Sequence, residues 1–181
     1  MAIHVALLRG INVGGKNLIK MPELKACFEA DGFEDVRTYI QSGNVLFRAT
    51  GSTSALADRI EKMLGKTFGH YRAWVLVRSH AQMRTTVEKA PAGFGSDPDA
   101  YLYDVVFLKA PLTASAALKK IPTREDVAEV HGGRGVLYFS RLKSRATQSR
   151  LNRVASLSIY QSMTIRNWNT TTRLLRMMER T

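Results

Sequence analysis

The sequence predicts an α+β protein made of two ferredoxin-like halves (α-β plaits), with a linking helix between them and an extra helix at the C-terminus. In the first 78 residues, apolar runs typical of strands and amphipathic stretches typical of helices follow the order β-α-β-β-α-β. The same order of elements recurs after residue 100. Between the two stretches lies a loop with prolines and glycines, which marks a boundary.

These observations divide the chain into three parts. Residues 1–78 are expected to form the first plait, residues 79–100 a linking helix and a loop, and residues 101–181 the second plait with the C-terminal helix. The two halves share the order of their elements rather than visible sequence similarity. An internal duplication is therefore an expectation from topology.

The first half has a local signal for each element. Ile3 to Leu8 is an apolar run typical of a buried strand, and Pro22 suits the first turn of a helix that Gly32 ends. Two β-type runs joined by a short turn predict a hairpin. The predicted elements are a strand at 3–8, a helix from about 21, strands at 33–40 and 45–47, a helix after 53 and a strand at 71–77.

The second half follows a linking helix at 79–89. Its predicted elements are a strand at 101–108, a helix at 113–120, strands at 126–130 and 135–140, a helix at 146–157, a strand at 163–166 and a helix at 170–180. The last helix places Leu174, Leu175 and Met178 on one face, which we expect to be buried.

The composition is that of an ordinary folded protein, with 45% hydrophobic and 23% charged residues in a chain of 181. No apolar run approaches the roughly 20 residues that span a bilayer. The N-terminus lacks the pattern of a signal peptide. We therefore expect a cytoplasmic protein that does not associate with membranes.

Cysteine, histidine and carboxylate positions predict neither a metal site nor a cofactor. The single cysteine, Cys27, shares a helix face with Leu24 and Phe28, which indicates a core position. The four histidines lack metal-ligand spacing. Carboxylates are few near the loops, and this argues against glycosidase chemistry.

The net charge of +12 is concentrated near the C-terminus. Residues 134–181 hold ten basic residues against one acid, Glu179. This asymmetry favours a polyanionic partner such as nucleic acid, bound without sequence preference, although a solvated basic face is the alternative. The candidate contacts are Arg150, Arg153, Arg173, Arg176 and Arg180, with Arg141, Lys143 and Arg145 in the preceding connection.

A glycine-rich loop after the first strand is the main candidate for a binding site. It joins a strand to a helix N-terminus, where backbone N–H groups and the helix dipole favour an anion. The loop lacks the Gly-Lys-Ser/Thr ending of a Walker A motif and the glycine spacing of a dinucleotide fingerprint. The candidate ligand-binding residues are Arg9, Gly10, Asn12, Gly14, Gly15 and Lys16.

The turn between the second and third strands is expected beside this loop. In a plait, a right-handed crossover makes the first two strands parallel, so both connections lie at one edge of the sheet. The candidate ligand-binding residues of the turn are Gln41, Ser42 and Asn44. Ser-Gly and Gly-Asn pairs are also routine in turns, so a purely structural role stays open.

A third cluster precedes the last helix. Asn169 is expected to be the N-cap of that helix, and Trp168 a core anchor. Arg166 and Asn167 are candidates for contact with an anion or with the other half.

Three stretches together resemble the bacterial domain of unknown function 1697 family. They are Leu8-Arg9-Gly10-Ile11-Asn12-Val13-Gly14-Gly15, Thr38-Tyr39-Ile40-Gln41-Ser42-Gly43-Asn44 and Arg166-Asn167-Trp168-Asn169-Thr170. The resemblance covers essentially the whole chain and implies two α-β plait subdomains. It implies no biochemical activity, because none is established for the family.

Three functions are compatible with these patterns. The first is binding of a phosphate-bearing ligand, a nucleotide or nucleic acid, at the glycine-rich loop edge. The second is hydrolysis of phosphoryl or acyl-phosphate groups, by analogy with acylphosphatases, which use the same plait with one Arg and one Asn. The third is an interaction module whose open sheet faces dimerise. The protein is expected to be a monomer or a homodimer.

Overall fold

The computed structural model describes residues 1–121, 128–148 and 158–180. The elements of the first half are β1 (Ala2–Leu8), α1 (Met21–Ala30), β2 (Glu34–Tyr39), β3 (Asn44–Ala49), α2 (Thr53–Thr67), β4 (Val75–Ser79) and α3 (His80–Glu88). Those of the second half are β5 (Tyr101–Leu108), α4 (Ala114–Leu118), β6 (Ala128–Gly133), β7 (Val136–Leu142), β8 (Met163–Asn167) and α5 (Trp168–Glu179). Short 3₁₀ helices cover Lys143–Gln148 and Ser158–Ser162.

The strands form two four-stranded sheets with the orders β2-β3-β1-β4 and β6-β7-β5-β8. Every neighbouring pair of strands is antiparallel. When the strands of each half are counted in chain order, both sheets have the order second, third, first, fourth. The α+β fold class is confirmed.

The chain divides into two compact units. One comprises Met1–Met83 with Leu174–Thr181, and the other comprises Arg84–Arg173. This division assigns the end of the chain to the first unit, whereas the sequence-based division placed it in the second half. The ranges 1–78, 79–100 and 101–181 stay a prediction of domain organisation.

The first sheet is packed against α1 through an aromatic cluster. Phe28, Phe33 and Phe47 are each at most 3% exposed, and the Phe33 and Phe47 rings meet edge to face at 4.8 Å. Helix α2 begins after Ser52, whose hydroxyl accepts a hydrogen bond of 3.2 Å from the backbone N–H of Ala55. The loops at the sheet edge are thus attached to a closely packed core.

The second sheet has a core of its own. Its buried apolar side chains include Val106, Leu137, Phe139 and Met163, each at most 2% exposed. A hydrogen bond of 2.9 Å from the backbone N–H of Leu108 to the carbonyl of Gly135 joins the end of β5 to the turn before β7.

The last helix starts earlier than predicted. Its N-cap is Asn167, whose Oδ1 accepts a hydrogen bond of 2.7 Å from the backbone N–H of Thr170, so the prediction of Asn169 as the cap is wrong. The cause is that β8 still pairs with β5 at Asn167, and the chain leaves the sheet directly into the helix. The expected burial of Leu174, Leu175 and Met178 is confirmed.

Two strand boundaries differ from the prediction by three or more residues. Strand β4 begins at Val75 rather than Tyr71, because Tyr71 lies in a turn in which its N–H donates to the carbonyl of Phe68. Strand β6 runs on to Gly133, so the following turn contains Gly135 at a φ of 72°. Of the helix predicted at 146–157, residues 149–157 lie outside the described residues.

Within the described ranges, no helix has the length and apolar character that crossing a membrane requires.

Candidate functional site

The glycine-rich loop and the hairpin turn meet at one edge of the first sheet, as the topology predicted. Leu8 at the end of β1 donates a backbone hydrogen bond of 2.8 Å to the carbonyl of Gly43. Asn12 Nδ2 donates another, of 3.0 Å, to the carbonyl of Gln41. A Cβ placed on Gly43 would lie 2.8 Å from the Leu8 Cβ, so the two segments are in direct contact. We call this edge, formed by residues 9–17 and 41–44, the loop edge.

The tip of the loop is a miniature hairpin. Lys16 donates a backbone hydrogen bond of 3.1 Å to the carbonyl of Val13, and the two residues form an isolated antiparallel bridge. Gly14 and Gly15 between them have φ angles of 58° and 73°. Positive φ at both central positions is the geometry of a type I′ turn, which glycine adopts without strain. The two glycines therefore give the tip a defined shape.

Two asparagine side chains hold the loop together. Asn12 exchanges hydrogen bonds with Ile19, donating from Nδ2 to its carbonyl and accepting at Oδ1 from its N–H, each at 2.8 Å. Asn17 Nδ2 donates a bond of 2.7 Å to the carbonyl of Gly10. The structure thus shows a structural role for Asn12, because its amide is occupied by these hydrogen bonds. Its binding role stays a prediction.

Arg9 is placed by two aromatic residues. Its guanidinium carbon lies 4.6 Å from the centre of the Trp74 ring, a cation–π distance. Its backbone carbonyl accepts a hydrogen bond of 2.7 Å from the Tyr71 hydroxyl, and its N–H donates to the carbonyl of Trp74. Arg9 is half-buried, whereas Lys16 is exposed. The two candidate cations therefore belong to the same loop, one held in place and one in solvent.

Asn44 points into the turn rather than out of it. It is 0% exposed, and its Nδ2 donates to the carbonyl of Tyr39 at 3.0 Å and to the Ser42 hydroxyl at 3.1 Å. The structural role that the sequence left open for Asn44 is therefore present. Gln41 and Ser42 are exposed at the same turn.

Backbone strain is concentrated at the loop edge and beside it. Of the four non-glycine residues with positive φ in the described ranges, three are Asn12, Asn17 and Ile40. Ile40, at 49°, is the costliest, because a β-branched side chain is strongly disfavoured there. Such strain persists where the surrounding structure imposes it, and it is often found at functional sites.

Exposed apolar side chains lie within the loop edge or next to it in the sequence. Val13 and Leu18 are 63% and 69% exposed, and Ile40 is 48% exposed. These are three of the six large hydrophobic residues that are exposed in the part of the chain that the structure describes. The loop edge thus presents apolar surface beside its cations.

Arg166 and Asn167 belong to the second unit and have local partners. Arg166 is buried, and its Nη1 donates to the Thr164 hydroxyl at 2.9 Å and to the carbonyl of Ile165 at 2.8 Å. Asn167 caps α5. Trp168, expected to be a core anchor, is only half-buried.

Sequence reasoning missed a cavity of about 330 Å³ in the second unit. Its lining includes Tyr101, Tyr103, Arg141 and Trp168, which come from three separate stretches of sequence. Only the alternation of Tyr101 and Tyr103 at the start of β5 could have pointed to it. No spacing rule links these tyrosines to an arginine and a tryptophan so far along the chain.

The predicted basic surface is only partly present. Arg173 and Arg176 are exposed on α5, and Arg180 is exposed directly after the helix ends at Glu179. Arg141 is not a free basic group, because its Nη2 lies 2.6 Å from Asp104 Oδ2 and both side chains are 14% exposed. Arg150 and Arg153 lie outside the described residues.

No group of three or more His, Cys, Asp or Glu side chains in the described residues could hold a metal ion. Cys27 is a buried free thiol whose Sγ donates to the Thr67 hydroxyl at 3.3 Å.

A family model described as "Protein of unknown function (DUF1697)" matches residues 1–138, which contain the whole loop edge. The chain belongs to the DUF1697 family. Among solved structures, this DUF1697 protein is similar to the conserved bacterial protein SP0830 from Streptococcus pneumoniae, with a TM-score of 0.82 and 24% sequence identity over 98% of each chain. That likeness concerns the fold. No curated protein matches the sequence.

Proposed function

We propose that this DUF1697 protein binds a phosphate-bearing ligand at the loop edge. The observation that carries the proposal is the joining of the glycine-rich loop to the hairpin turn through Asn12 and Gly43. The joined segments place the cations Arg9 and Lys16 on one loop that is fixed by its own hydrogen bonds.

The fixed shape of the loop edge favours binding. The asparagine braces and the type I′ turn define the backbone before any ligand arrives, so little ordering entropy is lost on association. Charge-assisted hydrogen bonds from Arg and Lys to phosphate are about twice as strong as neutral ones. A β-branched residue at positive φ is rare, and the strain at Ile40 supports a functional role for this edge.

The exposed apolar residues indicate what else the ligand carries. Val13, Leu18 and Ile40, which lie within the loop edge or next to it in the sequence, add exposed apolar surface. Inorganic phosphate alone would leave this surface in water, whereas an organic phosphate with a ring or a chain would cover it. A nucleotide is the ligand class that best fits both features.

The two other functions suggested by the sequence have less support. Hydrolysis would need an amide that positions water, but Asn44 is fully buried and its Nδ2 donates within the turn. Dimerisation through open sheet faces would need exposed apolar strands. Val5, Leu7 and Leu46 of the first sheet are all 0% exposed.

We also propose that each half is a ferredoxin-like plait. The order β2-β3-β1-β4 with antiparallel neighbours agrees with a ferredoxin-like β-α-β-β-α-β unit, and the second sheet repeats it. In such a plait the loop edge is where the connections after β1 and β2 meet.

Nucleic acid is a second candidate ligand, favoured by the exposed Arg173 and Arg176 on α5 and by the exposed Arg180 directly after it. Binding without sequence preference should weaken steeply between about 50 and 200 mM salt, because each neutralised phosphate releases counterions. Titration with single- and double-stranded oligonucleotides tests this. Binding that is absent at low salt, or that ignores salt, would contradict it.

Calorimetric titration with pyrophosphate and with nucleotides tests the main proposal. We expect Lys16→Ala and Arg9→Ala each to weaken binding by about 1.5–3 kcal/mol, the value of a hydrogen bond to a charged group. Lys25→Ala is the control, since Lys25 is exposed on α1 and pairs with Glu29. Equal affinity of the Lys16→Ala and Lys25→Ala variants would contradict the proposal, and thermal melting shows whether Arg9→Ala remains folded.

A further inference from the structure

The cavity of the second unit lies where the sheet gives way to the last helix. Strand β5 pairs with β7 from Tyr101 onward, but with β8 only from Asp104 onward. The first residues of β5 therefore extend past the end of β8. Helix α5 begins at that point, and its first turn lines the cavity together with Gly95 and Pro98.

An aromatic surface forms part of this cavity. Tyr103 and Trp168 line it, and Phe94 packs edge to face against each of them at 5.0 Å between ring centres. Gly95 has a φ of 84°, and a Cβ there would overlap the Trp168 indole. Only glycine therefore allows the backbone to approach the indole so closely, and the ring is fixed in its place.

Phe94 is fixed in turn by a third ring. Tyr138 contacts it edge to face at 5.3 Å, and the Tyr138 hydroxyl donates a hydrogen bond of 2.7 Å to the carbonyl of Thr86. Burial raises the pKa of Tyr138 to about 12, so the hydroxyl stays protonated and keeps this bond. The aromatic surface is therefore held in place by contacts that extend to Tyr138 in β7.

Positive charge lies beside the aromatic surface. Lys143 lines the cavity and is exposed. Arg141 and Asp104 also line it, and because they form an ion pair they add no net charge. The Arg141 Nε is buried with no hydrogen-bond partner among the described residues. The first turn of α5 adds the partial positive charge of a helix N-terminus.

We propose that this cavity binds a nucleoside monophosphate, with the base stacked on Trp168 and the phosphate beside Lys143 and the first turn of α5. Flat aromatic surface is what a nucleobase requires, and a nearby cation with a helix N-terminus is what a phosphate requires. The volume falls within the range of small-ligand sites. The proposal goes beyond the loop edge, because every residue it uses lies in the second unit.

Fluorescence of Trp168 provides a direct test. The chain has two tryptophans, so in a Trp74→Phe background Trp168 is the sole indole. We expect AMP and CMP to quench its emission saturably. Adenosine and inorganic phosphate should each bind at least about tenfold more weakly, since each offers only half of the interactions. If the Trp74→Phe variant does not fold, calorimetry on the Lys16→Ala chain, in which binding at the loop edge is weakened, gives the same comparison.

Matched variants locate the binding. Lys143→Ala should weaken AMP binding about tenfold or more, whereas Lys119→Ala, which removes the same charge from an exposed position outside the cavity, should not. Lys16→Ala at the loop edge should also leave the quenching unchanged.

Four results would overturn the proposal. The first is that no saturable quenching is seen up to about 10 mM nucleotide, which is the weak end of the affinity scale. The second and third are equal affinity of the Lys143→Ala and Lys119→Ala variants, and adenosine binding as tightly as AMP. Loss of quenching in Lys16→Ala would place the nucleotide at the loop edge and would overturn it as well.

Discussion

Asn12 Nδ2 donates a hydrogen bond of 3.0 Å to the backbone carbonyl of Gln41, and this bond joins two loops that are 29 residues apart in the sequence. The same amide group exchanges two further hydrogen bonds with Ile19. One side chain therefore fixes the start of the loop, its end and the neighbouring turn.

Asn12→Ala should lower the free energy of unfolding by about 2–4 kcal/mol, because it removes three hydrogen bonds and places alanine at a φ of 53°. Asn12→Gly should cost less, since glycine accepts that backbone conformation. Urea denaturation measures both. A loss below about 0.5 kcal/mol for alanine, the usual effect of a surface change, would show that the brace does not hold the loop.

Gly43 and Gly15 form a matched pair for testing how closely the two loops are packed. Both have positive φ, but a Cβ on Gly43 would lie 2.8–3.0 Å from atoms of Leu8 and Ile11, whereas a Cβ on Gly15 meets nothing within 4 Å. Gly15→Ala should therefore cost about 1–2 kcal/mol of strain alone. Gly43→Ala should cost at least about 1 kcal/mol more, because of overpacking. Equal losses in chemical denaturation would contradict the contact between loop and turn.

The meeting of these loops was predictable because it follows from topology. Alternating apolar residues in β1 and the hairpin after β2 are local signals, and the handedness of the crossover then places both connections at one edge. The roles of single side chains did not follow in the same way. Asn44 turned inward because it sits at the first position of β3, where Tyr39 is its pairing partner.

Asp104 and Arg141 form a nearly buried ion pair across β5 and β7. Asp104→Asn should lower the free energy of unfolding by about 3 kcal/mol, since it leaves a buried guanidinium without its counter-charge. Glu29→Gln, which breaks an exposed helical pair with Lys25, should cost at most about 0.5 kcal/mol. Equal melting temperatures of Asp104→Asn and Glu29→Gln would contradict a stabilising role of the buried pair.

His4 should make stability depend on pH. It is buried against Phe47, with a ring separation of 5.7 Å, and burial lowers its pKa below the ordinary 6.5, while a hydrogen bond to the carbonyl of Ala2 opposes the shift in part. The folded state therefore binds fewer protons than the unfolded state. The contribution of neutral His4 to the free energy of unfolding is therefore present above pH 6.5 and is lost as the pH falls below that value.

We expect the melting temperature of the wild-type chain to fall more than that of His4→Gln when the pH is lowered from about 7.5 to about 5.5, across the ordinary histidine pKa. Calorimetric melting of both proteins measures the difference. Parallel pH profiles of the two proteins would mean that His4 titrates as an exposed residue does.

The cavity of the second unit and the buried ion pair lay beyond prediction for a common reason. Asp104 and Arg141 are 37 residues apart, and Gly95 and Trp168 are further apart still, so no periodicity or spacing relates them. Charge counting assigned Arg141 to a basic surface, because the sequence does not show which charges are neutralised by pairing. The cap of α5 was misplaced for a similar reason, since sheet pairing at Asn167 decides where the helix begins.

The binding of phosphate at the loop edge is tested most directly by proton–nitrogen correlation spectra of the nitrogen-labelled chain, whose mass of 20.2 kDa suits the method. Pyrophosphate is titrated into the protein while the backbone amides are followed. We expect saturable shifts at Gly10, Gly14, Gly15 and the residues of 41–44, and their loss in Lys16→Ala but not in Lys25→Ala. A titration in which these amide signals do not move would contradict a phosphate site at the loop edge. Shifts that are the same in Lys16→Ala as in the wild-type chain would contradict it as well.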